Sequence, residues 1–215
     1  MTPEQIQDQK AQIISILKNT NRAEIESLIA FLTDSDYFAA PASTKFHGAY
    51  EGGLAEHSLH VWYVLTEKNR YYQLGLPEDT IAITAFGHDV CKIDFYAKEM
   101  KSILKGKIKV KKNKKVDGQW QEVEEEVKDW QEEEVFVVKD SFPVGHGEKS
   151  VITLLRHIQL GDREIAMIRW HMGGYVPKDE YRELTNAVEL YPAIIALHAA
   201  DLEVSHLINK EDKEQ

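Results

Sequence analysis

Residues 85–94 read AFGHDVCKID and set a histidine beside an aspartate within a run that otherwise carries apolar helical periodicity. Ile81, Ala85, His88 and Lys92 are spaced by four, three and four, one face of a helix, with Asp89 next to it. An apolar face turns its side chains toward a core. A carboxylate is expensive there unless a cation or several donors meet it. The stretch therefore predicts that other ligand-type side chains converge on it from elsewhere in the chain.

Working outward, such side chains recur. A helix over about 54–72 carries Leu54, Val61, Val64 and Leu65, and His57 falls on the same face, three residues after Leu54 and four before Val61. His171 follows Ile168 by three in EIAMIRWHMGG, and Asp201 follows Ile194 by seven and Leu197 by four in AIIALHAADLE. His146 stands in VGHGEKS, at the mouth of a helix. Each histidine alone reads as a core residue bonded to backbone. Together, His57, His88, His146 and His171 with Asp89 and Asp201 would be costly to bury with nothing bound, and a divalent cation removes that cost. Imidazole and carboxylate suit first-row divalent metals. No thiolate is counted in this set, so a structural cysteine-type zinc site is not expected. Cys91, the only cysteine, reads as a small buried side chain beside the pair, and having no partner in the chain it fits a reducing cytoplasm.

At 215 residues the chain is long enough for one large domain with its own core. A net charge of −10 argues against a protein that coats nucleic acid through its overall field, while leaving a local basic groove open. No stretch approaches the ~20 apolar residues of a membrane span. The polar opening MTPEQIQDQK lacks the pattern of a signal peptide. A cytoplasmic protein with no membrane partner is expected.

Thr2, Pro3 and Gln5 predict a capped first helix carrying Ile6, Ile13, Ile14 and Leu17, and a second begins at Asn21 with Ile25, Leu28, Ile29 and Leu32 on its face. Residues 34–53 form a connector, and LPEDT (76–80) introduces the helix that holds His88 and Asp89. From about 103 to 139 charged residues alternate with β-branched ones around an Asp117-Gly118 turn, which predicts an inserted β-ribbon. Lys101–Lys115 holds eight lysines and no acid, and Glu122–Glu134 holds eight acids and one lysine. A self-complementary hairpin is favoured over a lid that gathers an anionic substrate. Helical periodicity resumes over about 147–158, 162–172 and 180–208, with Pro192 starting or kinking a helix in the last segment. The organisation is one domain over 1–209 and a polar tail over 210–215.

The order His57, His88-Asp89, Asp201 resembles the HD-domain metal-dependent phosphohydrolases, with GHDVCKI similar to the family's His-Asp-x-x-Lys signature. His146 and His171, between the pair and the last aspartate, are similar to the extra ligands of binuclear members. KFHGAYEGGLAEHSLHV (45–61) also looks like the segment around the first metal histidine of HD-type 3′-to-5′ exoribonucleases. Those enzymes usually carry an OB-fold ahead of the HD domain, and too few residues precede 45 here for one, which favours a small substrate. The resemblance implies an all-α HD helical bundle with a ribbon inserted at about 103–139. It implies two divalent ions drawn from manganese, iron, nickel, cobalt or zinc, with magnesium admissible at one site. Asp89 would bridge them, His57, His88 and Asp201 would hold one, and His146 and His171 the other. A metal-activated hydroxide would cleave a phosphoester of a nucleotide or a short single-stranded nucleic acid, with Lys92 on a phosphate oxygen and His47 contacting substrate. His60, His157, His198 and His206 are expected to be non-catalytic. The alternative is a non-catalytic nucleotide- or partner-binding HD module. An oligomer is compatible with either.

Overall fold

The computed structural model describes residues 1–116 and 118–209. Asp117 of the expected turn and the 210–215 tail lie outside the described residues. The chain divides into two compact units: residues Met1–Tyr96 with those from Val138 onward, and Ala97–Val137.

The first unit is helical. Its helices are α1 (Pro3–Asn19), α2 (Ile25–Asp34), α3 (Gly53–Tyr72), α4 (Glu78–Gly87), α5 (His146–Leu154), α6 (Asp162–Arg169), α7 (Tyr181–Leu190) and α8 (Ala193–Glu203). Thr2 caps α1 as expected. Its hydroxyl accepts from Gln5 N at 3.3 Å, and Gln5 Oε1 accepts from Thr2 N at 2.7 Å. Two apolar clusters share α3 and α4. Ile13, Leu17, Leu28, Leu32, Leu54, Ile83, Phe86 and Leu154 fill one, and Val61, Leu65, Ile81, Met167, Ile194 and Leu197 fill the other. No helix among the described residues is long and apolar enough to cross a membrane.

The second unit is a two-stranded antiparallel ribbon from β1 (Tyr96–Val116) and β2 (Gln119–Val138). This corrects the all-α class: 53% of the chain is helical and 19% is strand, so the architecture is mixed. The ribbon starts at Tyr96, not near residue 103, and Lys139 N donates to Phe95 O at 2.8 Å just before it. The short run YAKEMKS suits either period, and pairing with the end of β2 decides it. Lysines of one strand meet glutamates of the other, as in Lys107–Glu126 (3.4 Å), Lys109–Glu124 (3.9 Å) and Lys111–Glu122 (3.3 Å).

Two boundaries differ from the sequence reading in ways that position the site, and a third decides between its alternatives. The second helix begins at Ile25 because Asn21 and Glu24 are left-handed (φ 51° and 65°) and form a turn. Arg22 in that turn grips buried Glu164 through both terminal guanidinium nitrogens, at 2.6 and 3.1 Å. Pro192 separates α7 from α8, so the segment 180–208 is two helices. α4 ends at Gly87, leaving His88 and Asp89 at its C-terminus instead of inside it. The carbonyls that would carry the helix further are met instead by side chains, Ala85 O by His88 Nδ1 (2.8 Å) and Phe86 O by the Tyr37 hydroxyl (3.1 Å), and Ser150 Oγ donates to His88 O at 2.6 Å. Lys92 N turns to Asp89 O (2.9 Å), which tightens residues Val90–Lys92 into a 3₁₀ turn.

Candidate metal centre

Asp89 lies at the middle of the site because the end of α4 and the start of the 3₁₀ turn hold it there. Ser150 receives Cys91 N (3.2 Å) as well as donating to His88 O, so one α5 hydroxyl clamps the turn on both sides of Asp89. On the opposite side the buried Tyr37 hydroxyl donates to Phe86 O at 3.1 Å, tying the connector to the last turn of α4.

The two oxygens of Asp89 face different histidines. Oδ2 lies 3.8 Å from His57 Nε2 and 3.5 Å from His88 Nε2, and His57 Nε2 is in turn 3.1 Å from Asp201 Oδ1. Oδ1 lies 2.8 Å from His146 Nε2 and 3.7 Å from His171 Nε2. All six residues singled out from sequence are therefore brought together. Their ligand atoms form three overlapping groups, each within 4.8 Å: His57, His88 and Asp201; His88, Asp89 and His171; Asp89, Cys91 and His146. Buried His, Asp and Cys side chains thus lie within reach of a common cation, an arrangement compatible with metal binding.

The backbone selects the ligating nitrogen. His88 Nδ1 donates to Ala85 O (2.8 Å) and His171 Nδ1 to Ile168 O (2.7 Å), which leaves both Nε2 atoms as lone-pair acceptors turned inward. His171 Nε2 is buried and finds no hydrogen-bond partner among the described residues, nor does His57 Nδ1. The orphaned His171 Nε2, 3.7 Å from Asp89 Oδ1, suits a ligand position. Close packing supplies the approach of α5 to α6. A Cβ on Gly147 would stand 2.2 Å from Arg169 O, so only glycine lets His146 come beside His171.

Electrostatics fit the same reading. Burial works against the Asp89 charge, but the Lys92 ammonium at 2.7 Å, then His88 and His146, hold its carboxyl well below the usual carboxylate range. Asp201 is likewise depressed, against its burial, by the hydrogen bond and charge of His57. Burial and the neighbouring His88 push His171 down to about 3, and burial also lowers His88, so both imidazoles are neutral and ready to ligate. His146 differs: burial would lower it, but the hydrogen bond to Asp89, then Cys91, lift it to about 10. Lys92, buried yet raised by Asp89, remains an ammonium.

A cavity of about 550 Å³ opens on this cluster, lined by Asp89, Lys92, His146 and Asp201 and walled by Phe46, Tyr96, Met172, Tyr175 and Leu202. His47 lines it too, 3.3 Å from Ser205 Oγ, with its ring centroid 5.0 Å from that of His57. Burial, then the His57 and Lys92 charges, lower His47 to about 4. It is therefore neutral at pH 7 and offers a hydrogen bond and not an acidic proton. His198 and His206, expected to be bystanders, also line the cavity. His198 Nδ1 donates to His171 O (2.7 Å), and its ring packs so close to Gly173 (φ +55°) that a Cβ there would lie 2.5 Å away. The sequence signal for His198 and His206 was their place on the same short segment as Asp201. His60 bonds Asn209 and His157 stacks on Phe31, both outside the cavity wall. No family model, curated protein or solved structure matches the chain.

Proposed function

We propose that the helical unit is a metal-dependent phosphohydrolase of the HD type, acting on a phosphoester of a nucleotide or a short single-stranded nucleic acid. The observation that carries this reading is the division of Asp89, one oxygen toward His57 and His88 and the other toward His146 and His171. A carboxylate placed that way suits two cations sharing one ligand, with Asp201 completing the His57 side. Divalent ions bound there supply Lewis acidity, acidifying a coordinated water and neutralising phosphate oxygens.

The chain's own groups supply the rest. Lys92 stays protonated at the cavity wall, a positive charge for a non-bridging phosphate oxygen. His47, neutral and held near Ser205, positions substrate by hydrogen bonding. Phe46, Tyr96, Met172 and Tyr175 give an apolar wall for a base and sugar, and about 550 Å³ is in the range of small-molecule sites. That wall and the net charge of −10 favour a mononucleotide-sized substrate over a long polyanion.

The test is product analysis by mass spectrometry. Protein with Mn²⁺ meets ribonucleotides, deoxynucleotides and a short single-stranded RNA, with Asp89→Asn as control. Loss of one pool, absent in the control, supports the hydrolase and names its substrate. Survival of every pool in protein shown to hold metal would favour a non-catalytic nucleotide-binding module.

A further inference from the structure

Cys91 has no role in the reaction just proposed, yet it does not pack merely as a small apolar side chain. It is 3% exposed, in the 3₁₀ turn directly after Asp89, and its Sγ lies 3.4 Å from His146 Nδ1 and 3.5 Å from His146 Nε2. His146 Nε2 is 2.8 Å from Asp89 Oδ1. One ligand atom each from Asp89, Cys91 and His146 lies within 4.8 Å of the other two. With metal–sulfur and metal–nitrogen bonds of about 2.3 and 2.0 Å, two donors on one tetrahedral ion stand about 3.5 Å apart. The Cys91–His146 separation already has that value.

A second, independent observation lies at the same Asp89 oxygen. His171 Nε2 is fully buried, lacks a hydrogen-bond partner among the described residues, and lies 3.7 Å from the same Asp89 oxygen that His146 meets. The His146 and His171 rings are 5.3 Å apart. The turn that carries the sulfur is held by Cys91 N on Ser150 Oγ, so the thiol reaches this position from a fixed backbone.

We propose that Cys91 is a thiolate ligand on the His146 side of Asp89, which makes the two cation positions chemically unequal. This rests on the metal reading of the site given above. The side built from Asp89, Cys91, His146 and His171 offers sulfur, nitrogen and oxygen donors and selects a thiophilic ion such as zinc, cobalt or iron(II). The side built from His57, His88 and Asp201 offers only nitrogen and oxygen and accepts harder ions such as manganese. The sequence reading, which expected a site without sulfur, is revised on this point.

Cobalt(II) spectroscopy of the full chain decides it, because Cys91 is the only thiol present. The metal-free protein is titrated with Co²⁺ and bound metal is counted after dialysis. The expected result is a near-ultraviolet sulfur-to-cobalt charge-transfer band alongside the visible ligand-field bands. Cys91→Ser should lose the first and keep the second, with Co²⁺ still held by the His57 side. Ligand-field bands without charge transfer in the wild type would overturn the thiolate and leave the hydrolase reading standing. No retained cobalt in a folded wild-type protein would overturn both. If Cys91→Ser fails to fold, the wild-type spectrum alone still gives the answer.

Discussion

The ribbon and the helical unit carry the same kinds of charged side chain under opposite conditions. On the ribbon, lysines and glutamates face each other across two strands with roughly half of each side chain in water, as in Lys107–Glu126 at 68% and 59% exposure. In the helical unit Asp89 keeps its charge at 4% exposure, and Glu164 forms its ion pair with Arg22 at 5% exposure. Water screens the first set, so each pair contributes little and the sequence is free to repeat it. The second set has no such freedom, because a charge taken out of water must be met at a defined place. Regular charge along a strand therefore speaks of solubility, and isolated charge on an apolar face speaks of a partner. In this molecule each of these two carboxylates meets a cation of the chain's own, Arg22 at Glu164 and Lys92 at Asp89, and Asp89, as proposed, meets a metal ion as well.

The comparison breaks first at Glu164 if it breaks at all. Thr80 Oγ1 donates to it at 3.0 Å, Gly161 N at 2.9 Å and Arg22 through both terminal nitrogens, so removal strands several groups at once. Glu164→Ala should lower the unfolding free energy by about 3 kcal/mol in urea titration. A loss below about 1 kcal/mol would place this pair with the ribbon's pairs. The metal centre is the next test. If it is built for cations, Co²⁺ at a free concentration about a hundredfold above Kd should stabilise the chain by about 2.7 kcal/mol. That is a Tm rise of roughly 5–10 °C by calorimetry, reversed by chelator and absent in Asp89→Asn. The rise should shrink as pH falls. In the metal-free protein His146 keeps its proton up to about pH 10, and ligation must remove it. Lower pH therefore opposes binding, by about tenfold in affinity per unit. A rise independent of pH between 7 and 9 would mean that His146 does not ligate.

The same contrast explains what was legible beforehand. Five of the six ligand-type residues could be picked out because they share faces with apolar residues and are jointly costly to bury, and periodicity is a local property. His146, at the mouth of a helix, rested on its order in the chain and on the resemblance. The all-α class failed because the ribbon makes 19% of the chain strand. The ribbon's start was misplaced where periodicity was weakest, at residues 96–102, whose strand pairing comes from a segment more than thirty residues on. The end of α4 at Gly87 was invisible because its last carbonyls are met by the His88 ring and by the hydroxyl of Tyr37, 49 positions from Phe86, and Cys91 looked like filler because its neighbour His146 is 55 positions away. His198 entered the cavity wall through its packing against Gly173, which no spacing rule encodes, and His206 through the turn Val204–Ile208 that follows α8. Sequence identified the groups that are costly to bury. Folding decided which of them meet.

The smallest expected effect is on the ribbon, and it tests the other half of the comparison. Lys107, Lys109 and Lys111 step by two along β1 and meet Glu126, Glu124 and Glu122 stepping back along β2. Changing all three lysines to glutamate puts like charges opposite each other on one face of an exposed strand pair. Screening limits the penalty to the ribbon, so the Tm of the helical unit should move by no more than about 1 °C. KM for an anionic substrate should stay unchanged at low salt, where any steering by these lysines would be strongest. A several-fold rise in KM under those conditions would show that the lysines gather substrate in addition to pairing with glutamates. The ribbon's charge would then have a partner outside the ribbon, as the buried charge is proposed to have.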